Sequence, residues 1–214
     1  MKRKLLCEDS MPRYSTILFD FGGVLAEEGF REGLKAIGRR FGRDPEEIYN
    51  LGKDLVYACG YVVGGVGEAC FWDEFRCRTK ISATDEELRR EILSRFSLRD
   101  EMLAAVAGLR RRGYRVAILS DQTNWLDELN KEYSFFSYFD EIFNSFHHGR
   151  SKKDPQVFVD VVEKLGIRPE EALFLDDDRQ NLERAKSKKI EGLLVVESSN
   201  ALSKLSEILG EELT

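Results

Sequence analysis

The stretch Thr16–Phe30, "TILFDFGGVLAEEGF", is an apolar run that stops at an acid, Asp20, and turns through Gly22 and Gly23 into a charged segment. Four consecutive apolar or β-branched residues bounded by a turn read as a buried strand. A carboxylate at the end of such a strand lies on the edge where open α/β sheets bind their ligands.

Further along, the same unit recurs. The runs "RVAIL" (115–119), "EIFNSF" (141–146), "ALFL" (172–175) and "GLLVV" (192–196) read as strands. Between them, "DEMLAAVAGLRRRG" (100–113), "NWLDELNKEY" (124–133), "DPQVFVDVVEKLG" (154–166) and "RQNLERAKSKK" (179–189) carry helical spacing and recognisable stops. Asp154 and Pro155 read as a cap followed by proline at the first helical position. Strands alternating with crossover helices predict an α/β fold with a doubly wound parallel sheet.

The rhythm breaks between about Glu28 and Leu98. There "GFREGLKAIGRRFG", "DPEEIYNLGKDLVYACG", "GEACFWDEF" and "TDEELRREILSRF" are all helical in pattern. The expected organisation is a core of residues 1–27 and 99–214 with a helical cap, 28–98, inserted after the first strand.

Composition narrows the function. The chain has 214 residues, enough for one core with a smaller insert. Its 39 acidic against 33 basic residues, a net charge of -6, argue against a nucleic-acid surface and favour a small-molecule substrate. Cys7, Cys59, Cys70 and Cys77 form no CxxC pair or zinc spacing, as expected of a reduced cytoplasm. The opening "MKRKLLCEDS" has a two-residue apolar run, short of a signal peptide or membrane span, and reads as a loose tail. The expected localisation is cytoplasmic, without membrane partners, and the oligomeric state is left open.

Polar residues cluster where the strands end: Asp20, Ser120, and Asp176, Asp177 and Asp178. Each alone has a structural use as a helix cap or turn residue. Several carboxylates converging on one edge repel one another unless a cation or substrate group lies between them, and a magnesium ion with its oxygen ligands would resolve that conflict.

In this order, "LFDFGGVL", "AILSD", "GRSKKDP" and "LFLDDD" resemble the four motifs of the haloacid dehalogenase superfamily, over about Thr16–Glu197. With "FWDEF" and the helical insert, the chain is similar to the small phosphatases grouped with the N-terminal phosphatase domain of soluble epoxide hydrolase. The resemblance implies a magnesium-dependent phosphatase acting on a small phosphate ester such as a sugar phosphate or nucleotide. Asp20 would be the nucleophile and a metal ligand, with Gly22 giving its backbone carbonyl to the metal. Ser120 and the N–H of Asp121 would hold phosphate oxygens. Lys152 would be the motif-three lysine, with Lys153 as a rival standing where relatives carry proline. Asp177 would ligate the metal directly and Asp176 from the outer shell, while Asp178 and Asn181 also fit the role of helix caps.

Gly22 departs from the pattern, because most such phosphatases carry there an aspartate that protonates the leaving oxygen. Its loss is worth about 10²- to 10⁴-fold. Substrate or solvent would then supply the proton, with rates falling steeply for basic leaving groups, or a neighbour would stand in: Glu27, Glu28, His147 or His148. Alternative readings are a phosphate-binding relative without activity, and a 2-haloacid dehalogenase. In the insert, Tyr57, Tyr61, Phe71 and Trp72 would either line the cap's inner face or form its core. Gly60, Gly64, Gly65 and Gly67 suggest a flexible loop.

Overall fold

A computed structural model describes residues 13–212. The amino-terminal decapeptide and Cys7 lie outside the described residues. In chain order the elements are β1 (Thr16–Phe19), α1 (Gly29–Arg40), α2 (Pro45–Ala58), α3 (Glu68–Thr79), α4 (Asp85–Leu93) and α5 (Asp100–Arg111). They are followed by β2 (Arg115–Ser120), α6 (Trp125–Tyr133), β3 (Glu141–Asn144), α7 (Ser145–His148) and α8 (Gln156–Leu165). The chain ends with β4 (Ala172–Asp176), α9 (Arg179–Ser187), β5 (Glu191–Leu194) and α10 (Ser198–Leu209).

The strands form one parallel sheet in the order β3-β2-β1-β4-β5. Strand alternation in β1 sends Ile17 and Phe19 into a cluster with α5, α6 and α10, and Leu18 into a second cluster with α8 and α9. Both faces of the sheet are therefore covered, which explains why its strands read as continuous apolar runs. In the register Phe19 lies opposite Ile118 and Leu175, and this brings Asp20, Ser120 and Asp176 to the same edge.

Boundaries moved where side chains compete for the backbone. "EIFNSF" is strand only to Asn144, whose side chain accepts from the Phe146 N–H at 3.3 Å and starts α7. β5 spans Glu191–Leu194 rather than 192–196, and Val196 is 73% exposed. Pro155 is the cap residue of α8, and Asp154 accepts from the Gln156 N–H at 2.9 Å.

The four helices α1–α4 follow β1, and no strand interrupts them. Tyr61, Phe71 and Trp72 are buried, and Trp72 stacks on Trp125 of α6 with centroids 5.8 Å apart. These aromatics thus belong to a core shared with the sheet's helices, whereas Tyr57 lines a cavity. The glycine-rich loop is held in place: Gly60 and Gly64, both left-handed, flank the turn 61–63, and the Ser145 hydroxyl donates to the Val62 carbonyl at 2.7 Å. None of the helices among the described residues is long and apolar enough to cross a membrane.

α1 and α4 cross closely at Gly33, where a Cβ would lie 2.5 Å from the Ile92 Cα. Gly33→Ala is expected to cost about 1–3 kcal/mol in urea unfolding, because backbone cannot yield as a side chain can. Gly67→Ala, at the N-cap of α3 but with open space around it, is expected to cost less, up to about 1 kcal/mol through the poorer cap.

Candidate active site

Asp20 follows β1 and is fixed by three donors. Its Oδ1 accepts from the Phe21 N–H at 2.7 Å and the Ser120 hydroxyl at 2.6 Å, and Lys152 Nζ lies 2.7 Å from its Oδ2. Lys152 Nζ is also 2.7 Å from Asp176 Oδ2. Lys152 is 1% exposed and Asp176 fully buried. Between the two candidate lysines the geometry is unambiguous, since Lys153 Nζ instead lies over the Tyr57 ring, 3.4 Å from its centroid.

The Asp121 side chain makes two contacts of its own. Its Oδ1 accepts from the Lys152 N–H at 2.8 Å and its Oδ2 from the Tyr57 hydroxyl at 2.9 Å, tying α2 to the lysine-bearing loop. Asp176 accepts from the Asp178 N–H at 2.7 Å and from Asn181 Nδ2 at 3.2 Å. Asp178 caps α9 through the Gln180 N–H at 2.8 Å, so of the two residues proposed as caps only Asp178 is one. Asn181 reaches back to Asp176, a partner that the motif spacing did not reveal.

The two glycines after Asp20 each leave room for a carboxylate. A Cβ on Gly23, whose φ is +76°, would lie 2.4 Å from Asp177 Oδ2. A Cβ on Gly22 would lie 2.4 Å from Glu28 Oε1. Of the four groups considered as replacement acids, Glu28 alone lines the cavity. Glu27 is paired with Arg99 at 2.9 Å, His147 with Asp127 at 2.6 Å and His148 with Asp160 at 3.3 Å.

Charge is crowded here. Burial raises the Asp20 carboxyl despite Lys152, and Asp177 adds to the rise. Burial likewise pushes Asp176 up to about 6 and raises Asp177. Glu28 is pushed up to about 7 by burial and by Asp177. Burial would lower Lys152, but Asp176 and Asp20 outweigh it and hold the ammonium well above its ordinary range. Carboxylate oxygens of Asp20, Asp176 and Asp177 lie within 4.8 Å of one another, a donor set of hard oxygens that fits a divalent cation. Asp20 and Asp176 each already serve three donors, Lys152 being shared between them, whereas no side-chain or backbone donor among the described residues reaches Asp177, which leaves Asp177 the freest of the three to ligate. The cavity over these groups measures about 510 Å³, within the range of small-molecule sites.

The family model for haloacid dehalogenase-like hydrolases matches residues 14–187. The chain belongs to this family. It is 29% identical to rat (Rattus norvegicus) bifunctional epoxide hydrolase 2 over 133 residues, 59% of this chain and 24% of that protein. The chain thus spans about a quarter of the length of the curated relatives it matches. A haloacid dehalogenase family enzyme from Bacteroides thetaiotaomicron superposes with a TM-score of 0.73 at 24% identity, covering 89% of this chain and 98% of that one. The same enzyme in complex with magnesium and inorganic phosphate superposes at 0.68 and 23% identity, covering 86% and 96%. At these identities the superpositions speak for the fold.

Because Glu28 titrates near 7 in the folded hydrolase and near its ordinary 4.5 in the unfolded chain, the folded state binds more protons between those values. Stability therefore falls as pH rises through that window. With a chelator present, Glu28→Gln is expected to raise stability at pH 8 by about 1–3 kcal/mol, the upper figure being reduced by the 27% exposure of the side chain. The gain should fade towards pH 4.5, as chemical denaturation at both pH values would show.

Proposed function

We propose that this hydrolase is a magnesium-dependent phosphatase that transfers the phosphoryl group of a small phosphorylated metabolite to Asp20 and then to water. The observation that carries this reading is the Asp20 carboxylate at the carboxyl end of β1, held by Lys152 and faced by Asp177. A dehalogenase has no use for that crowd of acids, and phosphate chemistry has.

Asp20, Asp177 and the Gly22 carbonyl would hold magnesium, with Asp176 in its outer shell. When bound, such an ion would supply positive charge against the carboxylates and the phosphate. One Asp20 oxygen forms a bond to phosphorus as the bond from phosphorus to the leaving oxygen breaks. The Ser120 hydroxyl and the Asp121 N–H receive phosphoryl oxygens, and the Lys152 ammonium steadies the charge shared between nucleophile and phosphoryl group. Glu28, standing where a side chain at Gly22 would point, gives its proton to the leaving oxygen. It then takes one from the water that attacks phosphorus, freeing Asp20 and inorganic phosphate. Helices α1–α4 serve as the cap (28–98) over the core (1–27 and 99–214), excluding water from the cavity.

The test is an assay across phosphate monoesters with magnesium. Asp20→Asn and chelation are each expected to abolish turnover. With Glu28 as acid, the parent should show a shallow dependence on leaving-group basicity, and Glu28→Gln should lose about 10²- to 10⁴-fold on alkyl esters and far less on aryl esters. Gly22→Asp combined with Glu28→Ala returns a carboxyl to the same space and should recover part of the alkyl rate. Phosphate binding without turnover would select the binding relative, and magnesium-independent halide release from a 2-haloacid would select the dehalogenase.

A further inference from the structure

Away from Asp20 the cavity is walled by α2, where Tyr49, Lys53 and Tyr57 recur every fourth residue on one face. Lys53 Nζ lies 5.4 Å from the Tyr49 ring centroid, and Lys153 Nζ 3.4 Å from that of Tyr57. Arg31 joins them, its guanidinium carbon 5.7 Å from the Tyr49 centroid. All three cations line the cavity.

Their charge is not spent inside the protein. Among the described residues neither Lys53 nor Lys153 forms an ion pair, and Arg31 approaches Glu28 only to 3.9 Å. Beyond Asp20, Glu28, Asp121 and Asp177, two further acids line the same space: Asp178 is engaged in capping α9, and Asp54 pairs with neither lysine. A tyrosine face orients an ammonium without neutralising it. The cavity lining carries six acids and four bases, and of those bases Lys53 and Lys153 are the ones without an ion-pair partner among the described residues, so they are the cations free to take an anionic group of a ligand. The nearer phosphate is gripped by Lys152 and Ser120 in the proposed mechanism, so these cations are left for a different part of the substrate.

We propose that the substrate is a phosphomonoester bearing a second anionic group, a carboxylate or another phosphate, bound by the cations of this wall, Lys53 and Lys153. This rests on the phosphatase reading and names its substrate class. Lys153 stands at the position where the resemblance leads one to expect proline, and its side chain is what extends the site from Lys152 towards α2.

The experiment compares kcat/KM for three esters of equal chain length: propyl phosphate, 3-phosphooxypropanoate and propane-1,3-diol bisphosphate, all with saturating magnesium. The parent should prefer one or both anionic esters over propyl phosphate by about 10- to 100-fold, the value of one or two charge-assisted contacts. In a Lys53→Met, Lys153→Met variant, checked for an unchanged melting temperature, that ratio should collapse towards one, chiefly through KM. Raising the salt to 0.5 M should shrink it in the parent. Whichever anionic ester carries the preference identifies carboxylate or phosphate as the group recognised. A ratio near one in a parent that hydrolyses propyl phosphate overturns the inference and leaves the phosphatase reading standing. Failure to hydrolyse any ester, an aryl phosphate included, removes that reading and the inference with it.

Discussion

The contact on which this site depends is the buried ammonium of Lys152, 2.7 Å from both Asp20 and Asp176. Two carboxylates brought out of water at the ends of adjacent parallel strands are costly, and one shared cation makes the arrangement tolerable. Removing the lysine would leave uncompensated charge in the protein rather than a vacated subsite. The shared ammonium does not balance the whole cluster, because Asp177 and Glu28 remain close by and their carboxyls are pushed upward. That residual negative charge is the physical reason the site suits a divalent cation together with a ligand that accepts hydrogen bonds.

Room for this crowd comes from the turn after β1. Gly23 is left-handed and lies against Asp177, while Gly22 lies against Glu28. Arg99 fixes the turn by donating to the Gly23 carbonyl at 2.7 Å and to Glu27. One guanidinium thus holds the segment leaving the sheet and the segment returning to it, and it also occupies Glu27. Of the two neighbouring glutamates, Glu28 is thus the one that faces the cavity.

How much was legible in the sequence depended on the kind of signal. The five strands and the placement of Asp20, Ser120 and Asp176 on one edge follow from apolar runs ending in polar residues, a pattern set by burial and therefore visible along the sequence, whereas the order of the strands in the sheet is not. The end of β3 was misread because Phe146 is apolar, while the Asn144 side chain stops the strand through a backbone hydrogen bond that hydropathy does not register. The Asn181 contact to Asp176 and the Tyr57 contact to Asp121 were invisible for a similar reason: each joins residues through the fold, and neither leaves a spacing of its own. The choice of Glu28 among four candidates required knowing which way each side chain points. Only the absence of a side chain at Gly22 hinted that something else fills the space.

Glu28 occupies the N-cap position of α1, yet its side chain makes no capping hydrogen bond. A carboxylate at a helix start ordinarily accepts from the backbone and is lowered by the helix dipole. Here burial and Asp177 act in the opposite direction and win, raising the group to about 7. Behind it Gly29 packs on Phe96, where a Cβ would come within 2.4 Å of the ring, so the start of the helix is set by a close contact. An acid attached to the turn after β1 would be positioned by the sheet alone. One attached to α1 is positioned by the insert, whose helices also carry Arg31, Lys53 and Tyr57 on the cavity wall. Proton donation and recognition of the far end of the substrate would therefore share one rigid support, and a shift of α1 or α2 would disturb both together.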